Sequence, residues 1–171
     1  METDGGMNSE QTQAAARKQL YGYFRQMLRV LPVESALSLV HPELPQAGLH
    51  QGVTLPYEET ATEVVTEFFD ISYWITGIAP DVADEYFDLI VRSWSRDGWP
   101  TRTDRTVRPR AAYTRTPDRY GLSVRESVNG YLSLSGSTPP FAPGTPEGPP
   151  PPQRIERTET RSSRTGPWAR D

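Results

Sequence analysis

The sequence predicts an α+β fold: a two-layer sandwich with two amphipathic helices packed on one face of a mainly antiparallel sheet of four or five strands. Three observations carry this expectation. Two stretches repeat apolar residues at helical spacing, and EFFDISYWITG alternates with period 2. Residues 126–137, ESVNGYLSLSGS, join an Asn-Gly pair to leucines at every second position with serines between them. At 171 residues the chain is about one domain. Its expected parts are a disordered N-terminus, 1–7, a single α+β domain, 8–137, and a disordered Pro-rich and Arg-containing tail, 138–171.

The first helix is read from Leu20, Tyr23, Phe24, Met27, Leu28 and Leu31, which share one face of a 3.6-residue period. Asn8 or Ser9 is expected to cap its start, with Gln11 or Thr12 reaching back, and Pro32 to end it. The second helix places Ala83, Tyr86, Phe87, Ile90, Val91 and Trp94 on one stripe. Pro80 suits its first turn, acidic residues its positive end, Arg92 and Arg96 its negative end, and Gly98 a left-handed cap. Between the helices, Phe69, Ile71, Tyr73 and Ile75 point one way along a strand, and Asp70, Ser72 and Trp74 the other. The preceding VHPELPQAGLHQGVTLPYEE reads as a long connection.

Beyond the second helix, Trp99 to Thr106 and Arg110 to Thr116 read as polar strands, TPDRYG as a turn and the serine-leucine segment as a closing hairpin. A two-residue loop at Asn129 and Gly130 would set apolar residues opposite polar ones, against the pleat. A three-residue loop, Val128, Asn129 and Gly130, pairs Val124 with Leu134 and Glu126 with Leu132, and sets Ser123 opposite Ser135 and Arg125 opposite Ser133. From 138 to 152, TPPFAPGTPEGPPPP holds eight prolines in fifteen residues. Without backbone donors, it is expected to stay outside the sheet, extended and solvated.

The helices then cover the greasy face of the sheet and leave the other face open. That face, with Trp74, Ser72, Arg125, Ser133 and Ser135, is the candidate site for a partner or small ligand, because an aromatic among hydroxyls and a guanidinium suits shallow recognition.

Other chemistry finds little footing. The absence of cysteine removes disulfides, thiolate metal sites and cysteine nucleophiles. Only His41 and His50 could act as imidazole bases, both on the long connection, and no GxSxG elbow or phosphate loop is present. Carboxylate pairs at Glu58 and Glu59, or Asp84 and Asp88, lie where solvated turns and helices commonly carry them. No catalytic residue, metal or cofactor is expected, nor any membrane span. The net charge of −4 conceals a gradient: residues 1–91 carry 4 basic and 14 acidic side chains, whereas 92–125 carry 9 arginines and 3 aspartates. Arg102, Arg105, Arg108, Arg110, Arg115, Arg119 and Arg125, interleaved with Tyr113 and Tyr120, could meet a polyanion. Neutralisation by the acidic half is the plainer expectation, and nucleic acid is not the expected partner.

YFDLIVRSWSRDGW, DISYWITGI and TPDRYGLSVRESVNGYLSLSGSTPP together resemble small actinobacterial envelope lipoproteins of the LppA-like kind, over about residues 10 to 141. In these a similar helix ending in GW or GY precedes a strand pair and an SLSGSSP-like closing strand. The resemblance implies a fold and an envelope setting and brings no catalytic residue. This chain departs from it in lacking a signal peptide and a lipidated cysteine, and in carrying Thr138, Pro139, Pro140 and Phe141 where many relatives place a cysteine. The expected setting is cytoplasmic as written, or exported if a signal sequence lies upstream. The sequence thus suits a non-enzymatic binding domain, with a hydrolase-like enzyme using a loop histidine, or a nucleic-acid module using the arginine strands, as alternatives.

Overall fold

A computed structural model of the protein describes residues 11–57, 65–103 and 108–157. The elements are α1 (Gln13–Leu28), β1 (Ala36–Ser38), β2 (Val53–Tyr57), β3 (Thr66–Thr76), a 3-10 turn (Pro80–Val82), α2 (Ala83–Arg96), β4 (Thr101–Thr103), β5 (Ala111–Arg115), β6 (Gly121–Glu126), β7 (Leu132–Ser137) and β8 (Arg154–Glu156). The α+β class and the antiparallel sheet are as expected, but among the described residues the sheet has eight strands rather than four or five. Its order is β4-β5-β6-β7-β3-β1-β8, with β2 pairing the free half of the β3 edge. Of the three unexpected strands, β2 lies in the segment read as a connection, β8 in the tail, and β1 in residues assigned to no element. β1 and β8 have three residues each, too few for an alternating pattern to register. β2 contains Pro56, which a lateral strand tolerates because its missing N–H need not face a neighbour.

Both helices bury their stripes in one core with the apolar side of the sheet: Leu20, Phe24 and Leu28 from α1, Phe87, Ile90 and Trp94 from α2, and Phe69, Ile71, Tyr73 and Ile75 from β3. The Trp94 indole N–H points at the Met27 sulfur at 3.3 Å and ties the helices together. Gly136 on β7 lets α1 approach closely: a Cβ there would lie 2.6 Å from Leu20 Cδ1 and 2.9 Å from Phe24 Cζ. The hairpin register is the expected one, with Val124 opposite Leu134, Glu126 opposite Leu132, Ser123 opposite Ser135 and Arg125 opposite Ser133. Gly130, at φ 87°, closes it in the left-handed region, its N–H bonded to Ser127 O at 3.0 Å.

Thr12, not Asn8 or Ser9, caps α1; its hydroxyl accepts from Ala15 N–H at 3.0 Å. Asn8 and Ser9 lie outside the described residues. So do 1–7 and 158–171, the expected disordered N-terminus and the last part of the expected disordered tail.

Residues 138–157, of which 138–152 were expected to be extended and solvated and the rest disordered, form a strap along the body. Its polar atoms complete the start of α1, where the first amides of any helix lack intrahelical acceptors. Gln13 N–H bonds to Thr145 Oγ1 at 2.9 Å and Ala14 N–H to Pro146 O at 2.8 Å. Further along, Tyr73 OH donates to Pro152 O at 2.8 Å, and Leu39 N–H to Gln153 O at 3.1 Å. Ile155 then enters the core beside Leu37, and Arg157 donates to Leu31 O at 3.2 Å, past the far end of α1. Proline cannot ladder, yet its carbonyl still accepts, and that is the half of the peptide group the strap uses.

If the strap is part of the fold, Ile155→Ala costs about 2–5 kcal/mol in a urea unfolding titration. A change below about 0.5 kcal/mol, the range of ordinary surface substitutions, would return residues 138–157 to the status of a loose tail.

Candidate functional site

Antiparallel pairing sets the polar side chains of the sheet in three cross-strand rows. The first runs Arg102, Tyr113, Ser123, Ser135, Ser72 across β4, β5, β6, β7 and β3. The second runs Arg125, Ser133, Trp74, Ser38 across β6, β7, β3 and β1. The third runs Arg115, Gly121, Ser137, Asp70 across β5, β6, β7 and β3. The first and third rows, with Arg125 at the end of the second, line a cleft of about 600 Å³, and Leu49 and His50 of the long connection stand at its side.

The five residues singled out from sequence therefore divide. Ser72, Ser135 and Arg125 line the cleft, whereas Trp74 and Ser133 do not. Trp74 is 6 % exposed, with the His41 ring edge-on to it at 5.8 Å and Tyr131 against His41 at 4.7 Å. The expected open face is thus roofed over at this end by a side chain of the connection. That roof could not be read from periodicity, because His41 sits in a run of tight turns, with Leu44 N–H bonded to His41 O and Ala47 N–H to Leu44 O. Trp74 is a packed residue rather than a stacking platform.

Tyr113 occupies the aromatic position in the cleft instead, with the Arg102 and Arg125 guanidinium carbons 5.0 Å and 5.6 Å from its ring centre. Ser72 and Ser135 share a hydrogen bond between hydroxyls of 2.6 Å. In such a pair one hydroxyl is donor and the other keeps a proton to offer outward. Asp70 carries its carboxylate into the cleft 3.6 Å from His50 Nε2. Burial raises the Asp70 pKa, and His50 and Arg125 pull it back.

The two histidines diverge. His41 accepts from Glu43 N–H at Nδ1 (3.0 Å), its Nε2 is buried without a partner among the described residues, and burial lowers its pKa. It is a wedge against Trp74 and Tyr131 and is not part of the cleft lining. His50 faces Asp70, but among the described residues no serine hydroxyl is bonded to it. No three His, Asp or Glu side chains among the described residues are placed to hold a metal, and no helix there is long and apolar enough to cross a membrane.

The arginines also sort into two groups. Arg108 bridges Asp84 and the buried Glu126, and Arg110 bonds Asp88 Oδ1 at 2.6 Å and Asp84 Oδ1 at 3.3 Å, so these two neutralise acids of α2 and β6. Tyr120, offered as a stacking residue, is fully buried. Arg105, Glu58 and Glu59 lie outside the described residues. Arg115 and Arg125, by contrast, have no carboxylate within ion-pair distance among the described residues, and both face the cleft. A continuous arginine stripe for a polyanion is thereby broken into a structural pair and a cleft pair.

Sequence reasoning left Gly121 and Ser137 out of the site and named Arg115 only among the arginines that could meet a polyanion; for Ser137 the signal was present, since the Ser133, Ser135 alternation continues one step to it. Comparison with family models, with curated proteins and with solved structures finds no match to this chain. The site is therefore defined by its geometry: a concave, hydroxyl-lined sheet face with arginines on one flank and a His-Asp pair on the other.

Trp74→Ala is expected to cost about 3 kcal/mol in chemical unfolding, the range for emptying a buried aromatic site; an unchanged midpoint would mean the ring is dispensable to packing. The Asp84 carboxyl, hydrogen-bonded by Arg108 and next by Arg110, has a pKa held well below its ordinary value of 3.8. A depressed folded pKa stabilises above the unfolded value and loses that stabilisation as pH falls through the folded one. The wild-type advantage over Asp84→Asn should accordingly be full at neutral pH and shrink steadily below about pH 4. A gap that widens on acidification would contradict the assignment.

Proposed function

We propose that the protein is a non-enzymatic binding domain that holds a small polar ligand in the cleft on the uncovered face of its sheet. The observation that carries this reading is the coincidence of concavity with unspent polar chemistry. A cleft of about 600 Å³ falls within the 300–1,000 Å³ range of small-molecule sites. Its floor consists of small hydroxylated residues, Ser72, Ser123, Ser135 and Ser137, fixed on paired strands rather than on loops, so their positions are set before a ligand arrives. Solvent alone would be served as well by long charged side chains. The resemblance to actinobacterial envelope lipoproteins, which brings no catalytic residue, agrees with binding rather than turnover.

A second reading draws on His50 and Asp70, whose 3.6 Å approach resembles the base and orienter of a hydrolase. Equal turnover by wild type and His50→Ala over a panel of esters and amides would remove it.

The binding reading is tested by a thermal-shift screen of polar metabolites on wild type and on Ser135→Phe, whose ring fills the floor of the cleft. A ligand at a hundredfold excess over its Kd stabilises by about 2.7 kcal/mol, which raises Tm by several degrees in wild type and not in the variant. Shifts that persist in Ser135→Phe would move binding elsewhere and overturn the proposal.

A further inference from the structure

Within that cleft, and resting on its reading as a ligand site, the geometry points to a seat for a phosphate group over Gly121. We infer that the ligand is a phosphate monoester of a small polyhydroxylated molecule, with its phosphate held between Arg115 and Ser137.

Gly121 stands in the third row, between Arg115 on β5 and Ser137 on β7. A Cβ built on Gly121 would lie 3.0 Å from Ser137 Oγ and 3.6 Å from Arg115 Nη2. The missing side chain thus leaves a position that a hydroxyl donor and a guanidinium reach from opposite sides. An oxyanion oxygen resting in van der Waals contact on the Gly121 Cα, farther out than that Cβ, would lie between the two and accept from both.

The guanidinium is set in advance. Arg115 Nη1 donates to Arg119 O at 3.2 Å, and Arg119, at φ 73°, turns that carbonyl back toward β5. Nη2 is left facing Gly121 without a partner among the described residues. Anchoring one nitrogen removes part of the rotamer entropy that a free arginine would lose on binding.

Charge and reach select the class. Arg115 and Arg125 give the cleft two positive charges with no carboxylate in ion-pair range among the described residues, which suits a phosphate monoester carrying about −1.5 to −2 at neutral pH. Asp70 lies beyond Ser137 on β3, on the far side of the row from Arg115, and its charge is partly met by His50 and Arg125. A carboxylate there would repel a second anion but accept from a hydroxyl. Ser72 and Ser135 in the adjoining row offer further hydroxyl contacts, and the Tyr113 ring offers a flat apolar rest for a sugar-like body.

The test is isothermal titration of the full chain with a hexose monophosphate, the free hexose and inorganic phosphate, repeated on Arg115→Gln and Gly121→Ala. Gly121 has an ordinary strand backbone, and the Ser137 hydroxyl it would crowd can rotate, so Ala is tolerated there; Arg115 is exposed, so Gln leaves the fold intact. The monophosphate should bind at least tenfold more tightly than the hexose, and each substitution should weaken it at least tenfold with Tm nearly unchanged. Equal binding of hexose and monophosphate would overturn the phosphate seat while leaving the cleft as a ligand site. So would monophosphate binding indifferent to both substitutions, or a different ligand blocked by Ser135→Phe. Failure of every probe and of the metabolite screen would overturn both.

Discussion

Alternation along paired strands is the constraint on which the rest of the molecule depends. Successive side chains of a strand point to opposite faces, so one register decides both which residues are buried under the helices and which line the cleft. On β3, Ile71 and Tyr73 go into the core while Asp70 and Ser72 enter the cleft. On β7 the leucines and serines divide in the same way. Core and site are therefore a single solution of the pleat, and neither can shift by one residue without exchanging places with the other. Gly136 takes part from within the core: by carrying no side chain under Leu20 and Phe24 it lets α1 lie close to the strand whose opposite face holds Ser135 and Ser137.

Much of this was legible in the amino-acid sequence, for a physical reason. The two helices and β3 have patterns long enough for their period to be unambiguous, and the hairpin is constrained twice over, by its Asn-Gly turn and by its leucines. The strands that escaped are those whose pairing is decided by the partner. β1 contributes three residues beside the long β3, β8 contributes three beside β1, and β2 is held by β3 despite its proline. Tertiary context overrode local composition most plainly in the strap, where proline carbonyls serve as acceptors although proline nitrogens cannot donate.

The candidate site was legible by face and not by extent. Parity placed Ser72, Ser135 and Arg125 on the correct side, but said nothing of what might cover that side. His41 and Tyr131 close it above Trp74, through contacts between residues far apart in the chain. The cleft consequently lies further along β3, toward Asp70, and its lining includes Gly121, a residue with no side chain to signal a face. Arginine sorting likewise needed coordinates: Arg108 and Arg110 differ from Arg115 and Arg125 only in having Asp84, Asp88 and Glu126 within reach.

The strap also bears on how the chain is made. The first amide of α1 finds its acceptor on Thr145, a sequence separation of 132 residues. A ribosome delivers the two partners in order, with nearly the whole domain synthesised between them. Early in translation α1 has its local Thr12 cap but not its sheet, and the amides of Gln13 and Ala14 find their acceptors only when the proline segment emerges. Such long-range closure slows assembly and leaves Thr145 and Pro146 to complete the opening turn of a helix made more than a hundred residues before them.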